Sequence, residues 1–137
     1  MRSGDGAGTE LARIDAMMRC MAFIGGADGT IEPRERAMFA DIVERLTGTR
    51  LNRAQLADFL DRPGGDFFDP AAYLQKHGDA LDAAFRRLIF MAACFIAMAD
   101  GAMAAAEADR LRALGAALEI PSPEHDAIVA GLGAGRL

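Results

Sequence analysis

The sequence has little of what most chemistry draws on. Its 137 residues hold no tryptophan, one tyrosine, two cysteines, two histidines, two serines and one lysine. Cys20 and Cys94 each sit inside an apolar segment, and neither belongs to a Cys-x-x-Cys pair. That argues against a thiolate zinc site and a disulfide framework, and the chain reads as cytoplasmic. Each cysteine reads as a small core residue. His77 and His125 have no cysteine or carboxylate at a repeating ligand spacing, and both are expected to be exposed. Ser122 is better explained as a helix cap than as a nucleophile, so a Ser-His-Asp triad drops out. No glycine-rich phosphate loop is present.

Positive charge is also scarce. Lys+Arg total 15 against 20 Asp+Glu, a net charge of −5, and no basic run exists. Nucleic acid is therefore not an expected partner, because phosphate binding needs clustered cations. The most apolar run, residues 88–99, is too short to span a bilayer, which takes about 20 residues. It reads as a helix buried on all sides, and no membrane insertion is expected. Residues 1–8 are polar and glycine-rich, which fits a disordered tail and no signal peptide.

What the chain does have is 52% hydrophobic and 26% charged residues, the composition of one globular domain. Alternating apolar patterns are nearly absent, alanine is abundant, and apolar residues recur at helical spacing. The expected fold is all-α, a single-domain bundle of about seven helices over residues 9–130. The first runs from a Thr9 cap to about Gly25, with Ile14, Met17, Met18, Met21 and Ile24 inward. The second opens at Glu32-Pro33, with Glu35 placed as in a capping box, and stops at Gly48. A third starts at Asn52, with Gln55 completing its box. Residues 62–66 break the chain, and Phe67 and Phe68 follow as one core contact and one candidate partner contact. Asp69-Pro70 opens a fourth helix that Gly78 ends. The buried helix covers about 79–99 and a sixth about 104–118. Ser122-Pro123 caps the last, and residues 131–137 read as a frayed tail.

Residues 17–46 and 89–118 align without a gap at an offset of 72. Phe23-Ile24 matches Phe95-Ile96, and Ala27-Asp28-Gly29 matches Ala99-Asp100-Gly101. Ile31 matches Met103, Glu35 matches Glu107, and Leu46 matches Leu118. The reading is an internal duplication, repeat one at about 9–60 and repeat two at about 79–130. Two helical hairpins would then be related by a pseudo-twofold and share one core.

The repeated pattern Asp-Gly-x-apolar-x-x-x-Glu, at 28–35 and 100–107, carries the one site-like chemistry. Gly29 and Gly101 suit a positive φ. The pattern matches the second half of an EF-hand loop, while Ile24, Gly26, Ile96 and Met98 stand where its first ligands belong. One turn alone should hold calcium weakly. Two turns brought together would pool Asp28, Glu35, Asp100 and Glu107, an all-oxygen set that favours Ca²⁺, Mg²⁺ or Mn²⁺. Helix capping, however, demands an Asp and a Glu at these positions without any metal.

These paired turns, each after a hydrophobic helix, resemble the TerB (tellurite resistance) family and the N-terminal region of a membrane-anchored J-domain co-chaperone. The similarity covers about residues 10–130. It implies a compact all-helical fold and a non-enzymatic role in tellurite resistance or bacterial stress response. It also implies work beside a membrane protein at the cytoplasmic face, with an acidic surface that binds metal. Asp28, Gly29, Glu35, Asp100, Gly101 and Glu107 are the positions that match. The second turn is poor in polar residues, and no J domain follows, so co-chaperone activity is not implied. The alternative is a protein-interaction module in which the acidic turns are purely structural.

Overall fold

A computed structural model of the chain describes residues 3–25, 33–60, 69–98 and 105–133. They form α1 (Ser3–Gly25), α2 (Pro33–Thr47), α3 (Arg53–Leu60), α4 (Pro70–His77), α5 (Ala83–Ala97), α6 (Ala105–Ala117) and α7 (Ser122–Gly133). A single 3-10 turn, Gly78–Ala80, separates α4 from α5. No strand occurs among the described residues. The all-α expectation holds. Phe67, Phe68 and the break around 62–66 lie outside the described residues.

The centre of the bundle is α1 laid against α5. Helix α5 is the most apolar of the described helices, and both bury the stripe that their helical spacing dictates. From α1 come Ile14, Met17, Met18, Met21 and Ile24, and from α5 come Ile89, Phe90, Ala93 and Cys94, all at most 1% exposed. Phe39 and Val43 of α2 and Leu111 and Leu114 of α6 close the core. Complete burial of each large apolar side chain contributes about 1.5–3 kcal/mol. The packing is reciprocal. Helices α2 and α6 each touch both α1 and α5, α3 packs on α1, and α7 packs on α5.

Helix ends follow local chemistry. Gly48 stops α2 with φ 78°, and its N–H donates to the Glu44 carbonyl at 2.8 Å. The Asn52–Gln55 capping box forms in both directions, at 2.8 and 3.0 Å. Asp69 caps α4, with Pro70 at its first position.

Four expectations need correction. Helix α1 starts at Ser3, so it takes in residues 3–8 and leaves Thr9 inside the helix. Nothing in that stretch breaks a helix outright, and each added residue supplies one more backbone bond. Helix α5 starts at Ala83 rather than near 79, because Leu81 donates back to Gly78 in the 3-10 turn and Asp82 supplies the cap. Ser122 is the first residue of α7 rather than its cap. The cap position belongs to Pro121, whose carbonyl accepts from the His125 N–H at 2.9 Å. Helix α5 is not buried on all sides. Ala84 and Arg87 are exposed, and Leu88, Met91, Phe95 and Met98 are half-buried on one face.

Candidate functional site

Asp28, Gly29, Asp100 and Gly101 lie outside the described residues, as do Ile31, Glu32 and Met103. Glu35 is the third residue of α2, and its side chain is not described. Glu107 stands in the first turn of α6, half-buried. The structure therefore locates the helix ends that carry the two acidic turns. The first turn joins the end of α1 at Gly25 to the start of α2 at Pro33. The second joins the end of α5 to the start of α6 at Ala105.

One contact fixes how these ends relate. The Arg110 guanidinium of α6 donates from Nη1 to the Phe23 carbonyl of α1 at 2.7 Å. It also lies 5.0 Å from the centroid of the Phe23 ring. Phe23 is in the last turn of α1, where helix geometry leaves carbonyls without an intrahelical partner. The middle of α6 is thus fastened to the end of α1. Glu107 is three residues before Arg110, so both occupy the same face of α6. The end of α5 is linked to α6 by residues 99–104, which bounds its distance from that junction at about 25 Å. Helix α2, which follows the first turn, packs on both α1 and α5. Among the described residues, no group of three or more His, Cys, Asp or Glu is placed to hold a metal ion.

Three polar arrangements were not legible in the sequence. Asp15 and Arg19 pair on α1 at 2.9 Å, and the Tyr73 hydroxyl of α4 donates to the same Asp15 oxygen at 2.7 Å. Arg19 also lies 5.4 Å from the centroid of the Tyr73 ring, and the His77 ring stands 4.6 Å from it between centroids. Burial, then the hydrogen bond to Asp15, pushes the Tyr73 phenol well above its ordinary range. The i, i+4 spacing of Asp15 and Arg19 suits an ion pair, but nothing in the sequence points to a tyrosine 58 residues away.

Arg86 sits half-buried at the start of α5 and donates to three backbone carbonyls. They are Leu81 at 3.1 Å, Gly78 at 3.0 Å and Leu118 at 3.3 Å. The guanidinium thus ties the end of α4 and the end of α6 to α5. His125, expected on the surface, is only 16% exposed and packs on Phe90 at 4.8 Å between ring centroids.

A shallow pocket of about 280 Å³ lies between α5 and the α6–α7 link, lined by Arg86, Arg87, Leu118, Glu119, Pro121 and Glu124. Both of its cations are engaged, Arg86 by carbonyls and Arg87 by Glu124. Cys20 and Cys94 are free and buried, and burial pushes each thiol up to about 12, with Asp15 adding to the effect at Cys20. Neither is a ready nucleophile, since the thiolate is the reactive form.

The family model described as Tellurite resistance protein TerB matches residues 14–130. No curated protein and no solved structure matches the chain.

Proposed function

The chain belongs to the TerB family of tellurite resistance proteins, and on that premise we propose a non-enzymatic stress-response role in which the two acidic turns together bind one divalent cation. Asp28, Glu35, Asp100 and Glu107 are the proposed ligands, and Ca²⁺, Mg²⁺ or Mn²⁺ the proposed ion. The observation that supports this reading is the Arg110–Phe23 tie, which fastens α6, one turn beyond Glu107, to the end of α1. Turns leaving from one end of a bundle can contribute to a common site, whereas turns at opposite ends cannot. The reciprocal packing of α1–α2–α3 and α5–α6–α7 is the arrangement that an internal duplication would produce, and we infer one on that ground.

Reduction of tellurite by the chain itself has no support. Two buried thiols with raised pKa values are poor redox groups. The test is thermal unfolding with and without millimolar Ca²⁺, Mg²⁺ or Mn²⁺. Binding to the folded state alone raises Tm with cation concentration. The rise should vanish in the Asp28→Asn, Asp100→Asn double variant. A Tm that ignores all three ions contradicts the cation reading.

A second reading takes the acidic turns as architecture and the function as docking on a partner, for which the family resemblance suggests a membrane protein at the cytoplasmic face. The half-buried apolar face of α5 favours it. No helix among the described residues is long and apolar enough to cross a membrane.

A further inference from the structure

Helix α7 is held more loosely than the helices it packs on. None of residues 122–131 is buried, whereas α1, α2, α4, α5 and α6 each bury at least one side chain. Ile128 and Val129 are half-buried against the core. Glu124 accepts from Arg87, a pair partly open to water on both sides, and such pairs add little stability. The third contact is the His125 ring, which packs on Phe90 of α5.

That ring has a seat shaped for it. A Cβ on Gly115 of α6 would stand 2.9 Å from His125 Cδ2 and 3.3 Å from Phe90 Cε1. Glycine is a poor helix former, so its place within α6 fits a side chain that must come this close. The other half of the chain has no such seat. At the offset of 72, Gly115, Phe90 and His125 become Val43, Met18 and Arg53. Val43 and Met18 are wholly buried, and Arg53 is exposed. The seat is also imperfect. Nε2 of His125 is buried and has no hydrogen-bond partner, while Nδ1 stands 3.3 Å from the exposed Asp126 carboxylate. A buried polar atom left unpaired costs free energy that water returns when the ring comes out.

The link from α6 supplies the hinge. Glu119 takes its left-handed conformation, and the buried Ile120 donates back to Gly115, so the chain is pinned as far as residue 120. Beyond it, α7 is held by the contacts above. We propose that α7 is a releasable latch. It opens as a unit beyond Ile120 while α1–α6 stay folded, and departure of the His125 ring from between Phe90 and Gly115 is the step that frees it. A helix of twelve residues is marginal in water, so the released segment unfolds. Opening bares the Phe90 ring and the Gly115 backbone, a slot that takes one flat ring. This latch goes beyond the cation and docking readings and depends on neither.

The test is native-state hydrogen exchange of the full chain in urea below its unfolding midpoint. After correction for intrinsic rates, the Ile128 and Val129 amides should exchange by one common opening, at least about a hundredfold faster than those of Ile89 and Phe90. Their exchange should also depend less steeply on urea, because a local opening exposes less surface. Equal rates and equal urea slopes overturn the proposal, since α7 would then open only with the whole molecule. Exchange that quickens residue by residue toward Gly133 overturns it too, because that is fraying from the end. Gly115→Ala, whose methyl displaces the ring, should speed the α7 amides at least about tenfold further. His125→Phe keeps a flat ring and discards the unpaired nitrogen, so it should slow them, and it decides the matter if Gly115→Ala does not fold. An unchanged or faster rate in His125→Phe contradicts release through the ring.

Discussion

Arg110 and Phe23 stand 87 residues apart in the chain and are joined twice, by a hydrogen bond to the carbonyl and by a cation over the ring. A carbonyl at a helix end that loses such a donor is left to water or to nothing. Arg110→Ala should therefore cost about 1.5–3 kcal/mol in urea unfolding. Arg110→Lys should recover part of that loss, since it keeps the charge and gives up the planar stack. If the tie also positions the acidic turns, Arg110→Ala lowers the cation-induced rise in Tm.

The Tyr73–Asp15 bond gives a pH prediction as well as a mutational one. Tyr73→Phe should cost about 1 kcal/mol. The phenol and both thiols have folded pKa values raised above their ordinary ones, chiefly by burial. Their contributions are complete below the unfolded values and are lost as pH rises toward the folded ones. The thiols begin this at their ordinary value of 9.0 and end near about 12. The urea midpoint should fall across that window, and the fall should be shallower in the Cys20→Ala, Cys94→Ala double variant. A thiol reagent at neutral pH should label neither cysteine until the chain unfolds.

Glu119 holds a left-handed conformation, φ 62°, at the end of α6. Ile120 donates back to Gly115 and Glu119 back to Ala116, the two bonds of a Schellman ending. A left-handed non-glycine residue costs about 1–2 kcal/mol, which the greater freedom of glycine in the unfolded chain offsets in part. Glu119→Gly should raise stability by up to about 1 kcal/mol, read as a higher urea midpoint at unchanged slope.

Gly78 and Arg86 form a matched pair. A Cβ on Gly78 would stand 2.9 Å from Arg86 Nη2, and that nitrogen is already tied to the Gly78 carbonyl. Gly78→Ala should push the guanidinium off its three carbonyls and cost about 1–3 kcal/mol, with Arg86→Met costing at least as much. In the double variant the two losses should fall short of additivity, because they act on the same bonds.

Helix positions and most of the core were legible because α1, α2, α5 and α6 each carry an apolar stripe at helical period. Asn52, Asp69 and Gly48 were legible because caps and stops are local chemistry. The start of α5 was misread because a 3-10 turn at Gly78–Ala80 satisfies the same local signals as a helix start. The start of α7 was misread because Ser122 has a cap's chemistry while Pro121 has its place. Arg86, Arg110 and Tyr73 were not legible at all. Their partners are backbone carbonyls or side chains brought near by tertiary packing, and no spacing records them. Of the four acidic positions, the repeat pattern gives identity and register, while the structure gives the helix ends that carry them.

The claim that the two acidic turns act together is tested most directly by Mn²⁺ in an amide spectrum of the full chain. Paramagnetic broadening should appear at Asp28, Glu35, Asp100 and Glu107 at the same cation concentration, and added Ca²⁺ or Mg²⁺ should reverse it. Broadening confined to one turn, or silence at both up to several millimolar Mn²⁺, would contradict a shared site.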